Sequence, residues 1–514
     1  MITKINRKFI VLIFFIILLF IGLNIYTDYG ISCDEGGEYS RGIYTFDFIF
    51  KNSHVLTSVY HGVAFSFPLF LLEKILALRD LREIFLMRHL ATFLLFYLSV
   101  FFFYLLCKDK FKSWKIGLLG SLFLILSPRI FAHSFYNSKD LAFLSLFIIS
   151  IYTLFKYLDK KTFPRAFWHA LICAILIDVR IVGSLVPLLT FLFIGLDLVL
   201  KDTKHKEVNF KPSLLLYTFL LTVFTIFFWP ILWENPIYHF IRAFSKMAHY
   251  PWLGSVLYLG EYIKSSNLPW HYTLLWILIT TPVLYSILFL VGIFSVASKL
   301  ISQRLNFYKK NRKLFIILLW FFIPLLAVIL LKSILYDSWR QMFFIYPAFL
   351  ILSLTGFVYI SEFIKKKLKK KYLILNLFVL IVITSLVSTV YTMVKIHPYQ
   401  NVYFNPLARK VFYPIKQNFE LDYWGLSYRR GVEYILANNG SQQIKIYTVG
   451  YPGVISSYLI SAADRKRLVY VNEQEADYLI SNYRWHKEEY NCEQEVYNIK
   501  INGEKIMIVC KLKD

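Results

Sequence analysis

RKFIVLIFFIILLFIGLNIYTDYGISCDEGGE (residues 7–38) sets an apolar run long enough to cross a bilayer directly before a cluster of carboxylates. About 20 apolar residues span the hydrocarbon core as a helix. The opening residues are basic, as in a secretory signal, but no small-residue cleavage site follows the run, so it reads as an uncleaved first span.

Similar runs recur along the chain. Hydrophobic residues make up 57% of the 514, with a mean hydropathy of +0.54, and they come in blocks rather than in the short periods of a soluble core. Spans are expected at roughly 9–26, 84–106, 116–134, 141–158, 166–178, 182–200, 213–233, 273–298, 314–335, 342–361 and 373–395. The fold class is therefore an α-helical polytopic membrane protein with about eleven transmembrane helices.

The formal net charge of +25 raises the question of nucleic acid. The cations instead sit in short stretches between apolar blocks, which points to a lipid bilayer as partner and to no nucleic acid. With the amino terminus cytoplasmic, the inner loops carry Lys108, Lys110, Lys112 and Lys115, then Lys160, Lys161 and Arg165. Lys201, Lys204, Lys206 and Lys211 follow, then the runs Lys299 to Lys313 and Lys365 to Lys371. The outer turns hold little beyond Arg129, Lys139, Arg180 and Arg340, which is the positive-inside pattern.

One stretch tests this scheme. YHGVAFSFPLFLLEKILAL (60–78) is apolar enough to count as a span, but counting it would invert every later loop. It reads as an amphipathic or re-entrant piece on the outer face. Two outer regions are then large, 27–83 and 234–272. Both hold segments suited to the membrane surface, YSRGIYTFDFIF and YHFIRAFSKMAHY.

Residues 1–395 thus form a transmembrane domain, and 396–514 a small extracytoplasmic α/β domain. In the latter SYRRGVEYILANN reads as a helix, and QIKIYTVG and RLVYVN as strands. VYNIKINGEKIMIVCKL reads as a hairpin turning at Asn502-Gly503. The five cysteines show no metal-ligand spacing. Cys492 and Cys510 either pair or remain thiols.

Acidic residues are scarce in the membrane half, so their positions carry information. Asp34 and Glu35 lie just outside the first span, where paired carboxylates suit general-base work on an acceptor hydroxyl. The alternative is a solvated polar loop. SPRIFAHSFYNSKD (127–140) offers Arg129, His133 and Lys139 for phosphate oxygens and Asp140 for a sugar hydroxyl. The alternative there is a capped turn with snorkelling cations.

Arg180 and Arg340 each stand alone at the outer end of a span, beside Asp178 and Asp337. A guanidinium there suits a bidentate phosphate site, or simply an ion pair with the neighbouring carboxylate. Trp270-His271-Tyr272 reads mainly as an interfacial aromatic belt, with His271 kept among the substrate-binding candidates. Few ionisable residues fall at helix centres, which argues against an ion or proton pathway.

An Asp-Glu pair early in the first outer loop, an acidic turn ending in Asp140, the Leu268-Pro269-Trp270 lead-in to a span and the helix count resemble the GT-C superfamily of membrane glycosyltransferases. The likeness extends over roughly residues 1–360 and is nearest to family 39, the protein mannosyltransferase and aminoarabinose transferase type. The strings YDSWRQMFFIYPAF, HPYQNVYFN and FELDYWGLSYRRGVEYIL also look like a bacterial branch of such proteins.

This resemblance implies inverting transfer of a sugar from a polyprenyl-phosphate donor to a hydroxyl acceptor on a glycan, lipid or protein, at the outer face of a plasma (bacterial inner) membrane. It implies Asp34 as base with Glu35 in support. Arg340, Arg180 and Lys139 are phosphate-side candidates by charge and depth. Some GT-C enzymes use a divalent metal; none is expected here, and no other cofactor. Two rival readings are a transporter or flippase of lipid-linked sugars, expected to show paired repeats and mid-membrane polar residues, and a non-catalytic scaffold.

Overall fold

The computed structural model describes residues 6–51, 61–199, 210–248 and 252–513. Residues 1–5, Tyr60, Lys201, Lys204, Lys206 and His249-Tyr250, all used in the sequence reading, lie outside them. The chain is an integral membrane protein built mainly from helices. In order these are α1 (Arg7–Ile25), α2 (Glu35–Lys51), α3 (Ser66–Ile75), α4 (Leu81–Phe111), α5 (Trp114–Ile125), α6 (Pro128–Tyr136), α7 (Asp140–Asp159) and α8 (Phe163–Val179). Then come α9 (Leu185–Val199), α10 (Phe210–Phe228), α11 (Pro236–Ala248), α12 (Tyr272–Thr280), α13 (Val283–Gln303), α14 (Leu305–Leu330), α15 (Tyr346–Lys367) and α16 (Lys371–Lys395).

Each of the eleven expected spans coincides with helix, but two are not straight. Among the described residues nine helices are long and apolar enough to cross alone. The expected span 116–134 is instead α5 and α6, bent by 70° at the break. Pro128 supplies no amide hydrogen there, and Ser127 Oγ donates to Phe123 O at 2.7 Å and meets Tyr346 Oη at 2.8 Å. The expected span 273–298 breaks at Thr281-Pro282, where Asn405 Nδ2 donates to the carbonyls of Leu278 and Thr281 at 2.7 and 2.8 Å. The short span expected at 166–178 is α8, whose 17 residues reach about 26 Å.

Burial sorts the helices. α7 and α15 are central, whereas α1 and α16 expose Phe20, Ile17, Leu380 and Ile381 as lipid-facing helices do. α13 and α15 cross most closely at Gly292 and Gly356. A Cβ on either would lie 2.0 Å from a backbone oxygen of the other helix, so only a hydrogen fits. α3 has ten residues, too short to span, and Gly42 of α2 seats on its Phe70. The described part of the 60–78 stretch therefore holds a short packed helix rather than a span. The 234–272 region holds α11, exposing Ile237, Ile241 and Phe244, and an antiparallel strand pair β1 (Ser255–Tyr258) and β2 (Glu261–Lys264), which the sequence reading omits.

α7 runs from Asp140 at one end of the bundle to Asp159 at the other. At the Asp159 end, Lys313 pairs with Asp159 at 2.6 Å and Arg312 with Asp197 at 2.8 Å, so part of the basic loop charge is neutralised locally.

Beyond α16 the chain does not leave the bundle at once. Two short helices, α17 (Pro406–Val411) and α18 (Ile415–Asn418), lie in a segment whose Phe404, Phe419, Trp424 and Leu426 join the bundle's own core. A second core starts at Tyr428. It packs α19 (Tyr428–Asn438) on a sheet of β3 (Ile444–Thr448), β4 (Leu468–Tyr470), β5 (Tyr478–Ser481), β6 (Gln494–Ile501) and β7 (Glu504–Lys511), in the order β4-β3-β5-β7-β6. β3 pairs in parallel with β4 and β5, and the rest is antiparallel. The expected hairpin turns at Asn502 and Gly503, with φ of 52° and 91°. Cys492 and Cys510 are joined in a disulfide.

Candidate active site

The carboxylates and guanidiniums expected at separate outer turns converge on one point. α2 starts at Glu35, whose Oε1 accepts from the Ser32 amide at 2.7 Å and whose Oε2 meets His89 Nε2 at 2.8 Å. Glu35 is buried and spent on fixing the start of α2 against α4. The supporting catalytic role expected for it has no counterpart in these contacts: Ser32 and His89 are not partners of Asp34. Asp34, one residue earlier, keeps a side chain 39% exposed, enough for a substrate to reach, and lies 3.2 Å from Arg340 Nη2.

Arg340 is the hub. Its Nη1 donates to Asp140 Oδ2 at 2.7 Å, its Nε pairs with Asp337 Oδ2 at 2.8 Å, and its plane lies over the rings of Tyr336 and Trp424. Asp140 also accepts from Arg180 Nη2 and, at 3.1 Å, from Asn137 Nδ2. The bend at Pro128 makes this possible, because it turns α6 so that Asn137 caps Asp140, its Oδ1 accepting from the Asp140 amide at 2.8 Å.

Arg180 does not pair with Asp178, the neighbour expected for it. Asp178 turns instead to the Ala64 amide at 3.2 Å and holds the segment before α3. Arg340 does pair with Asp337, three residues away.

Asp337 and Ser338 both adopt left-handed backbone, φ 54° and 58°, unusual for two successive residues that are not glycine. The turn aims the Asp337 carboxylate back at Arg340, where the Trp424 indole also donates to it. Burial pushes Asp337 up to about 7, against the lowering pull of Arg340, Arg129 and Arg484. Lys139 is pushed down to about 7, by burial first and then by Arg41. Its nearest carboxylate is Glu38 at 4.0 Å, already held by Arg41 at 2.7 Å, so Lys139 is the most loosely engaged cation here.

The remaining candidates stand further back. Arg129 donates to Tyr403 O at 3.0 Å and lies on Trp276 and Phe404, clamping the segment after α16 onto α6. His133 meets Asn137 at 3.1 Å and packs edge-on against Phe343 and Trp424, forming the wall behind Asp140. His271 bonds Tyr258 Oη at 2.7 Å on the β1–β2 hairpin and takes no part in the carboxylate cluster.

Sequence reasoning missed Asn137, Trp424 and Arg484. Asn137 was legible three residues before Asp140, as a helix-capping spacing. The other two reach the site only through the tertiary fold. Chemically, three carboxylates against two guanidiniums, with one carboxylate half-open and one lysine loosely held, can bind an anion and accept a proton side by side. Among the described residues no group of three His, Cys, Asp or Glu is disposed to hold a metal ion.

No family model matches the chain, and no curated protein matches it by sequence at a significant level. Among solved structures, the chain is similar to ArnT from Cupriavidus metallidurans bound to undecaprenyl phosphate. The identity is 11%, 97% of each chain is covered, and the TM-score is 0.50. The likeness shows that the chain has the fold of that structure. The same protein in its apo state gives 12% identity over 98% of each chain and a TM-score of 0.48. This fold brings the Asp34 loop, the α6–α7 turn and the turn before α15 together at one end of the bundle, so residues more than 300 positions apart meet.

Proposed function

We propose that this protein transfers a sugar from a polyprenyl-phosphate donor to a hydroxyl acceptor, with inversion, at the outer face of a bacterial plasma membrane. The observation that carries the reading is Arg340, buried at one end of the spans and ordering Asp34, Asp140 and Asp337 around a single guanidinium. The fold supports it, since the ArnT neighbour holds undecaprenyl phosphate. The disulfide supports an oxidising, extracytoplasmic setting for the C-terminal domain.

In this reading Asp34 takes the proton of the acceptor hydroxyl, whose oxygen bonds to the anomeric carbon. The bond from that carbon to the phosphate oxygen breaks, and the lipid phosphate departs with its electrons. Arg340 faces three carboxylates, and in this reading its part is to orient Asp34 and Asp140. Lys139 and the Arg180 Nε edge, which has no hydrogen-bond partner, are better placed to meet phosphate oxygens. Asp140 would orient a sugar hydroxyl.

Charge gathers at the two ends of the bundle, at Asp34–Arg340 and at Asp159–Lys313, which favours surface chemistry over a transport path. Purified protein in lipid, offered a panel of radiolabelled polyprenyl-phosphate sugars, tests the reading. Label should leave at least one lipid donor; label retained on every donor contradicts it.

A further inference from the structure

The Arg340 guanidinium is planar, and each of its nitrogens faces a different carboxylate. Nε lies 2.8 Å from Asp337, Nη1 2.7 Å from Asp140 and Nη2 3.2 Å from Asp34. Because the group is rigid, a turn at one nitrogen displaces the other two. Asp34 depends on this. Its side chain is 39% exposed, and Arg340 is its one ion-pair partner among the described residues. Whatever fixes Arg340 at Asp337, and over its face, therefore also fixes Asp34.

Trp424 does both. Its indole N–H donates to Asp337 Oδ2, the same oxygen that pairs with Arg340 Nε. Its ring also lies over the guanidinium, 4.7 Å from Arg340 Cζ. The side chain is buried and packs against His133 and Tyr136 of α6, at 5.4 and 5.7 Å between ring centres. Packing at interior density leaves it one orientation.

The turn that carries Trp424, residues 422–427, is tied from two sides. Asp422 Oδ1 accepts from Asn401 Nδ2 at 3.0 Å, in the segment that follows α16, and Oδ2 accepts from the Ser427 amide at 2.8 Å. The Asp422 carbonyl accepts from Asn482 Nδ2 at 2.6 Å, one residue beyond β5. Gly425 takes φ 73°, and a Cβ there would stand 2.4 Å from Pro452 Cβ, so the turn seats directly on the C-terminal domain. A chain of contacts thus runs from Asn482 through Asp422, Trp424, Asp337 and Arg340 to Asp34.

We propose that Trp424 is a positioning residue for the transfer, and that through it the C-terminal domain holds Asp34 in line with the acceptor hydroxyl. The inference rests on the transferase reading for the reaction it serves. Misplacing a reacting group by about 1 Å costs up to about 10²-fold in rate. A domain with a core of its own thereby sets the rate of chemistry at the end of the helical bundle. The donor phosphate, met at Lys139 and Arg180, lies outside this chain of contacts, so the domain acts on the chemical step rather than on donor binding.

The test uses the full chain in lipid nanodiscs and the polyprenyl-phosphate sugar that wild type consumes, with kcat and KM measured per folded molecule. Trp424→Phe keeps a ring over Arg340 and removes the N–H. It should lower kcat by about tenfold or more and leave the donor KM within about twofold. Asn482→Asp keeps an oxygen for Tyr428 Oη and the Arg484 amide, and sets another against the Asp422 carbonyl. It should lower kcat by about threefold or more. A merely structural role would lower the melting temperature of both variants and leave kcat per folded molecule as it was. Glycine suits the left-handed backbone at Asp337, and in Asp337→Gly protein the Trp424→Phe change should alter kcat by less than about twofold. Unchanged kcat in Trp424→Phe overturns the proposal, as does an undiminished loss in the Asp337→Gly background. Wild type inert toward every donor sinks the transferase reading instead. The same cycle is then read in melting temperature, which needs no substrate. Non-additive losses uphold the link from Trp424 to Asp337, and additive losses overturn it.

Discussion

Arg340 and Asp140 meet at 2.7 Å across 200 positions of sequence, with both side chains almost wholly buried. The pair joins the turn leading into α15 to the start of α7, the two most buried of the long helices. In a water-excluded setting such a pair is expensive to break from one side, because the remaining charge has nowhere to go.

Arg340→Leu should therefore destabilise the protein by about 3–5 kcal/mol, read as a lowered thermal midpoint in detergent. Arg340→Leu combined with Asp140→Leu should recover part of that loss while leaving transfer abolished. Recovery of stability without activity would separate the pair's structural role from its ordering of Asp34.

Asp337 and Glu420 make a pH prediction. Burial raises Asp337 from 3.8 to about 7 and Glu420 from 4.5 to about 8. The folded state then holds these protons more tightly than the unfolded chain, so their contribution to stability is complete below about pH 4. It is withdrawn as pH rises through 7 and 8. Wild-type melting temperature should fall relative to an Asp337→Asn/Glu420→Gln double variant between pH 5 and pH 8. Parallel profiles would show that the two groups ionise normally.

Cys492 and Cys510 close a loop across a sequence separation of 18. Maleimide should fail to label either residue until the protein is reduced. Cys510→Ser should cost about 3 kcal/mol in the C-terminal domain, with the helical bundle melting as before. Labelling of both thiols without reductant in protein taken from its native membrane would place this domain on the reducing side.

Glu35→Gln removes the charged partner of His89 while keeping a group able to accept from Ser32. The expected effect is a loss of stability of about 1–3 kcal/mol, with transfer per folded molecule within about threefold of wild type. A larger loss of rate at full folding would return Glu35 to the chemistry.

The helical framework was legible because bilayer thickness imposes long apolar runs and the cationic loops mark one side. Asp34, Asp140, Arg180 and Arg340 were legible for a related reason: a charge near an apolar boundary is rare enough to stand out. Their partners were not. Asp178 lies two residues from Arg180 yet turns to Ala64, while Asp140 comes from another helix, because the 70° bend at Pro128 redirects α6. The proline was visible; the direction of the bend depends on packing against Tyr346 and the segment held by Arg129. Trp424 lies in FELDYWGLSYRRGVEYIL and Arg484 in no motif, and only the return of the chain after α16 brings them to the site.

The most direct test of the account compares wild type with Asp34→Asn in lipid, using the polyprenyl-phosphate sugar that wild type consumes. The substitution preserves shape and removes the carboxylate, both the proton acceptor and the charge facing Arg340. The account predicts that loss of label from the donor slows by about 10²–10⁴-fold. Equal rates in the two proteins would contradict it.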